Sequence, residues 1–448
     1  MSDIIKGTVF ANGQSVDATA LNNLVDLAVV QPDLINSRGA EPSPSTADTI
    51  LVYQAGPPAI LKKVALNNLP GLTSLQSADN TGMGQGSFGS LSTGTGNAAF
   101  GKNALALQTE GSNSTAIGHE AGYGSQGPLA VAAEDNTDVG YRAGYSNVNG
   151  DWNVMVGKSA GENCLHPQRC TVVGKGAMED AGSIISDNTA IGHEALKNVT
   201  YTGGTEGSDN TAVGSGALKA NTTAKDNTAV GTAALAANTT GEANTAMGLS
   251  ALAGSVDGSN NTAVGYQAGL NQLASSEANT YLGAGAGRDS NNGDENVMVG
   301  ASAGQESIYN QRCTAVGFEA MKDTGTLMSD NTAVGYQALK NATYVSGTDG
   351  ANNTAIGGAA LITNTTGSQN VAVGVSALSQ QTDPQGNVGI WYQAAYTGTT
   401  GEKLTSVGYR AGFSNVTSDH NTNVGYWAGF YKTAAGCTAV GASADINV

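Results

Sequence analysis

SDNTAVGYQALKN, Ser329–Asn341, differs from SDNTAIGHEALKN, Ser186–Asn198, at three positions, and its core NTAVG returns along most of the chain. Anchored on the core glycine, 20 units run from Gly101 to Gly441, with Trp391 standing in one glycine slot, where a local bulge is expected. The spacing is 17 or 18 residues, apart from three gaps of 22 (after Gly118, Gly192 and Gly335) and one of 16 at the end. A period this strict is a structural register, so repeats are read before domains.

The slots define the unit. Alanine stands three residues after the anchor in all 20 units, the residue before the anchor is always apolar, and Asn lies four before it in 15 of them. The alternation in N-T-A-V-G fits a short strand with its β-branched residues on one face. Fixed Gly and Ala mean that another backbone passes close by or that the chain turns tightly. Asn suits a turn and, stacked on successive units, a hydrogen-bonded ladder. Each unit therefore reads as one coil of an all-β, parallel β-solenoid (β-roll) of about 20 coils of 17 residues, holding two short strands and two turns. A shift of 143 residues superposes DWNVMVGKSAG at Asp151 on DENVMVGASAG at Asp294 and QRCTVVG at Gln168 on QRCTAVG at Gln311. An eight-coil block, about 140–282, has been duplicated as 283–425.

Composition agrees with a repeat array. Glycine is 63 of 448 residues, charged residues are 12% and the net charge is −17. Aromatics are only 5% of the chain, too few for a thick core. The reading expects a homotrimer that packs the β-branched faces together, about 95 Å long at the usual strand spacing. The acidic balance and lack of a basic patch argue against nucleic acid. No apolar run approaches a membrane span, so membrane insertion is not expected.

The N-[TS]-x-[AV]-[VI]-G-x-x-[AS] unit resembles the YadA-like head of trimeric autotransporter adhesins, over roughly residues 95–445. That resemblance implies a trimer of left-handed parallel β-rolls. The family's coils are shorter, and its secretion signal, stalk and membrane barrel have no counterpart in this sequence. Residues 1–75 read instead as a small mixed α/β attachment region, joined by a Gly/Ser-rich connector (76–95) to the array (96–448). They hold a strand near Phe10, a helix from about Asp17 with Leu21, Leu24 and Leu27 on one face, and two strands within TILVYQAGPPAILKKVALNNL. This layout resembles the N-terminal region of bacteriophage tail fibres. The resemblance implies a structural and host-binding fibre, fixed to tail or baseplate proteins through Phe10, Leu21, Leu24 and Leu27, made in the host cytoplasm and carried on the virion. Its alternatives are a capsid-attached decoration fibre and, from another class, a polysaccharide-degrading tailspike.

The search for chemistry favours a non-enzyme with no cofactor or metal. His119-Glu120 and His193-Glu194 lack a second histidine at metalloprotease spacing. Carboxylates before the Asn slot, such as Asp187 and Asp330, read as a solvated face rather than a calcium ladder. Cys170, Cys313 and Cys437 occupy Asn slots on distant coils, Cys164–Cys170 is the one pair near enough to bridge, and free thiols are expected. The 22-residue coils must push their surplus outward, and loops of this kind carry contacts. The receptor candidates are Tyr201, Thr205 and Glu206 in one loop and Tyr344, Thr348 and Asp349 in its duplicate, facing a host glycan or protein. GCTAVGASADINV at the end is too short to fold as a cap, so a tip protein or assembly chaperone is expected there.

Overall fold

The computed structural model describes residues 49–54, 60–65, 79–124, 132–182, 185–200, 207–272, 275–325, 328–342, 350–431 and 434–444. The helix expected near Asp17, with Phe10, Leu21, Leu24 and Leu27, lies outside them; no helix occurs among the described residues. Two units divide near Leu69, and each is described by itself. In the first, Thr49–Gln54 and Ile60–Ala65 pair antiparallel, Thr49 opposite Ala65 and Gln54 opposite Ile60. This is the hairpin expected from TILVYQAGPPAILKKVA.

The second unit is a parallel β-solenoid. Its ladder contains 21 three-residue strands, from Thr81–Met83 to Thr438–Val440, each paired in register with the equivalent strand one coil away. The ladder thus includes a coil ahead of Gly101, with Gly84 in the anchor slot at φ +140°. Register holds across the 22-residue gaps: Thr115 lies opposite Thr137, Thr189 opposite Thr211 and Thr332 opposite Thr354. The second strand of each coil is patchy, with a pairing of Pro167–Gln168 to Ile185–Ser186 and single bridges such as Gln311 to Ser329.

The anchor glycine is required twice over. At Gly335 φ is +137°, and an added Cβ would lie 2.7 Å from both the carbonyl carbon and the carbonyl oxygen of Gly357 on the next coil. Trp391 suggested a bulge from sequence, but there is none. Val388–Ile390 pairs in register on both sides, and Trp391 takes φ 104° with 63% of its surface exposed.

The strand faces are oriented by size. From Ala98–Phe100 onward the middle residue of each three-residue strand points inward and is buried, usually an Ala such as Ala190 or Ala333, while the flanking Thr and Val, Ile or Met stay half-exposed. The β-branched residues therefore form an outer rib, and the coil interior is filled by small residues. What completes the core is the residue four after the anchor, whose size is inverse to that of the strand's middle residue. Ala190 accompanies Leu196, Met155 accompanies Gly161 and Tyr281 accompanies Gly287, while Val172 with Met178 is an exception in which both are bulky; the named apolar residues are fully buried. A Cβ on Gly287 would lie 3.0 Å from Tyr281 Cζ, so the glycine is the space that the tyrosine occupies. Close packing in so narrow a coil favours this exchange of volume.

The Asn slot supplies the polar stitching. The Asn244 amide nitrogen donates to Asn227 Oδ1 (3.0 Å), Asn261 does the same to Asn244 (2.9 Å), and Asn244 Nδ2 donates to the Gly258 carbonyl (2.7 Å). Each buried Asn thus bonds the coil above through both ends of its amide, which satisfies groups that burial would otherwise penalise. Cys170 and Cys313 continue the ladder, their backbone N–H groups donating to Asn153 and Asn296 Oδ1 at 2.9 and 3.0 Å. All four cysteines are free thiols, Cys164, Cys170 and Cys313 buried.

Three middle slots hold buried polar residues, Asp138, Ser406 and Asn423, and the first is ionisable. Asp138 occupies a strand's middle slot, is buried, has no partner for Oδ1, and its carboxyl is pushed by desolvation from the ordinary 3.8 up to about 8. A folded-state pKa above the unfolded one gives stability that is complete below about pH 4 and lost as pH rises towards 8. By pH 7 the loss is on the order of 4 kcal/mol. Asp138→Ala is accordingly expected to raise the melting temperature, with a larger gain at pH 8 than at pH 5, read by thermal melts at both pH values. The glycine stack has its own expected signature. Gly335→Val should lower the melting temperature by several degrees, whereas Gly358→Ala, with nothing within 4 Å of its added Cβ, should be neutral or slightly stabilising.

Candidate functional site

Surface chemistry concentrates at one corner of the coil. The residue three after each anchor donates its N–H back to the anchor carbonyl, as Ala411 does to Gly408 at 3.1 Å, and closes a tight turn. The two residues between them project outward, the second with positive φ: Glu120 58°, Arg142 55°, Glu319 53°, Arg410 53°. The residue five after the anchor lies beside them. Because the coils stack in register, each of these slots forms a row along the ladder.

At the N-terminal end the rows are charged. Arg142 Nε donates to Glu120 Oε2 at 2.8 Å and Nη1 to Glu162 Oε1 at 3.1 Å. These two hydrogen bonds push the Arg142 guanidinium further up from its ordinary range. Lys219 and Lys197 close on Glu194 at 2.7 and 3.7 Å. A notch of about 250 Å³ opens between these groups, lined among others by Arg142, Lys158, Lys175, Glu162 and Glu194. It exists because Gly176 contributes no side chain to its row. In the duplicated block the corresponding corner is held by Glu319, bonded to Lys340 Nζ (2.8 Å), Lys322 Nζ (3.2 Å) and Gln337 Nε2 (2.8 Å). Those donors hold the Glu319 carboxyl down at about 2.

Towards the C-terminal end the same rows become aromatic. Nine of the chain's 24 aromatic residues fall within residues 391–431. Tyr392, Tyr409 and Tyr426 stack with centroids 5.2 and 5.3 Å apart, and Tyr396, Phe413 and Phe430 form a second column at 5.2 and 4.9 Å. Arg410 stands between the columns, 5.5 Å from the Tyr409 centroid and 5.2 Å from that of Phe413. Trp427 stacks on both Tyr426 and Phe430, while Tyr431 meets Phe430 edge-on and is 68% exposed. This face was not singled out from sequence; the signal was the density of aromatic residues in three consecutive coils.

The residues expected to bind a receptor, Tyr201, Thr205, Glu206, Tyr344, Thr348 and Asp349, lie outside the described residues. Their flanks are described. Thr200 and Gly207 donate to Thr222 and Thr223 of the next coil at 2.8 and 2.9 Å, so the two flanks are held side by side. Asp187 and Asp330 are not merely solvated. Each forms a two-pronged pair with an arginine one coil away, Arg169 at 2.7 Å for both prongs and Arg312 at 2.7 and 3.0 Å. Among the described residues, no three His, Cys, Asp or Glu side chains gather as metal ligands do.

No family model, curated protein or solved structure matches the chain.

Backbone strain marks the aromatic face. Trp391 is a bulky residue at a positive φ where the neighbouring coils use glycine, and strain of this kind costs about 1–3 kcal/mol. Trp391→Gly is expected to raise the melting temperature by removing that strain, a result checked by calorimetry on the two proteins.

Proposed function

We propose that this chain is a structural and host-binding fibre of a bacteriophage: a homotrimeric rod attached to the tail by its N-terminal region, with its solenoid facing the host surface. The observation that carries the reading is the outer rib. Along the ladder the residue before the anchor is apolar and partly exposed, as at Met83 (59%), Leu282 (47%), Met247 (44%), Ile117 (43%) and Ile356 (40%). An apolar stripe repeated along the length of a solenoid is a surface for another copy of the same solenoid, because the partner carries the same period.

The magnitude is adequate. Covering roughly 30 Å² of apolar surface on each coil at ~25 cal/mol per Å² yields on the order of 16 kcal/mol over the array, above the roughly 4–15 kcal/mol cost of association. Three copies around an axis bury the rib of each, in keeping with the resemblance of the repeat unit to trimeric adhesin heads. Buried free thiols suit assembly in a reducing cytoplasm. A host-surface glycan or protein is the proposed ligand, and tail or baseplate proteins are the partners at the N-terminal end. The loops bearing Tyr201 and Tyr344 are proposed contacts.

Light scattering on the full chain should give three times the 44.7 kDa chain mass. The double variant Ile191→Lys/Ile356→Lys, both at exposed rib positions, should shift the protein to monomer while retaining its circular dichroism. A monomeric parent protein would refute the trimer. Binding of labelled trimer to host cells, with and without both loops, tests the host contact.

A further inference from the structure

The octapeptide YRAGYSNV at Tyr141–Val148 returns as YRAGFSNV at Tyr409–Val416, and the two arginines sit in the same coil slot with the same φ sign. Their surroundings differ in one respect that matters chemically. Arg142 has Glu120 below it and Glu162 above, and both carboxylates bond its guanidinium. The equivalent neighbours of Arg410 are Gln393 and Phe430. Arg410 Nε donates to the neutral Gln393 Oε1 at 2.8 Å, and the guanidinium meets no carboxylate among the described residues. One copy of the motif is neutralised, and the other keeps its charge.

We infer that Arg410 and the rings around it form a recognition site for the carboxylate of an acidic sugar, within the face of residues 391–431. Nε is already engaged by Gln393, so the terminal pair Nη1 and Nη2 is left as a planar fork, the geometry that a carboxylate meets with two parallel hydrogen bonds. Tyr392, Tyr409 and Phe413 lie 6.0, 5.5 and 5.2 Å from the guanidinium carbon, and these rings partly exclude water from it. Lower local dielectric strengthens a charge-assisted bond and makes an uncompensated cation costly, which an arriving anion relieves.

Two further features favour a sugar over an acidic peptide. Trp391, next in sequence to Tyr392, and Tyr431, edge-on to Phe430, are 63% and 68% exposed, so each offers ring surface against which the C–H face of a pyranose can lie. Trp391 holds that exposure at φ 104°, a strain that the neighbouring coils avoid with glycine. The field is also permissive. In a chain of net charge −17, residues 391–431 carry Glu402 and Asp419 against Lys403 and Arg410, a local balance of zero.

This assignment deepens the host-contact reading and rests on it only for placing the sugar on a cell. The test uses the full-length protein and three carboxylated polymers, polygalacturonate, hyaluronate and polysialate, each beside its carboxyl-esterified form, with polyglutamate as the peptide control. Binding is read by tryptophan fluorescence and titration calorimetry. At least one carboxylated polymer is expected to bind, at least tenfold more tightly than its ester and than polyglutamate. Gln393→Glu, an isosteric change that gives Arg410 the carboxylate Arg142 has, should weaken that binding at least tenfold with the melting temperature unchanged, as should Arg410→Gln. The reverse variant, Glu120→Gln/Glu162→Gln, should add a second site per chain. The inference falls if none of the three polymers binds, if ester or polyglutamate binds equally, or if Gln393→Glu binds like the parent. Adsorption to host cells is measured in parallel. Adsorption without polymer binding removes this site and leaves the host-contact reading; polymer binding without adsorption does the reverse.

Discussion

In-register parallel stacking sets the strand and corner residues of this solenoid over their equivalents on the next coil, about 4.8 Å away. Each slot must therefore hold a side chain that tolerates its own kind. Glycine tolerates glycine, since Gly335 and Gly357 approach so closely that a Cβ has no place. Asn does better, because its amide is both donor and acceptor, and a column of Asn bonds itself from coil to coil. Aromatic rings stack, as along Tyr392, Tyr409 and Tyr426. Charge is sorted less strictly: Arg142 pairs with Glu120 in its own row and with Glu162 in the row beside it, whereas Asp187, Asp209 and Asp226 follow one another in a single row, and burial and then the neighbouring carboxylates push the Asp209 carboxyl up.

The same rule explains how the core is filled without thick side chains. Within a coil, the strand's middle residue and the residue four after the anchor share one fixed volume, so Met155 needs Gly161 and Ala190 needs Leu196. Where both are small, the neighbouring coils fill the gap. A Cβ on Gly269 would meet Leu252 Cδ2 at 2.7 Å and Tyr281 Cδ2 at 2.9 Å, from the coils on either side. Stability is in this sense shared between adjacent coils, as in other repeat arrays. Asp138 departs from the pattern, placing a carboxyl where the duplicated block has Tyr281.

Duplication copied the interior more faithfully than the surface. Asn153 and Asn296, Met155 and Met298, and Cys170 and Cys313 keep their buried roles, and Arg169–Asp187 recurs as Arg312–Asp330. At the turn corners the blocks diverge: Lys175 corresponds to Phe318 and His193 to Tyr336, which now stack at 5.6 Å. The corner rows form a surface whose chemistry changes without disturbing the ladder beneath, because their side chains project away from it.

Sequence by itself determined the period, the anchor glycine, the Asn column and the duplication, since each follows from recurrence at fixed spacing. It also located the hairpin at Thr49–Ala65. The direction in which the strands face was decided only in three dimensions. Alternation in N-T-A-V-G says that Thr and Val share a face, but Val points outward because the coil interior has room for alanine and one leucine. The absence of a bulge at Trp391 was likewise decided by the ladder hydrogen bonds on both sides, which hold the register against an unfavourable φ. The difference between Arg142 and Arg410 is not written in their nearly identical octapeptides. It lies in Glu120, 22 residues before one, and Gln393, 17 before the other, which only the stacking of coils brings into contact.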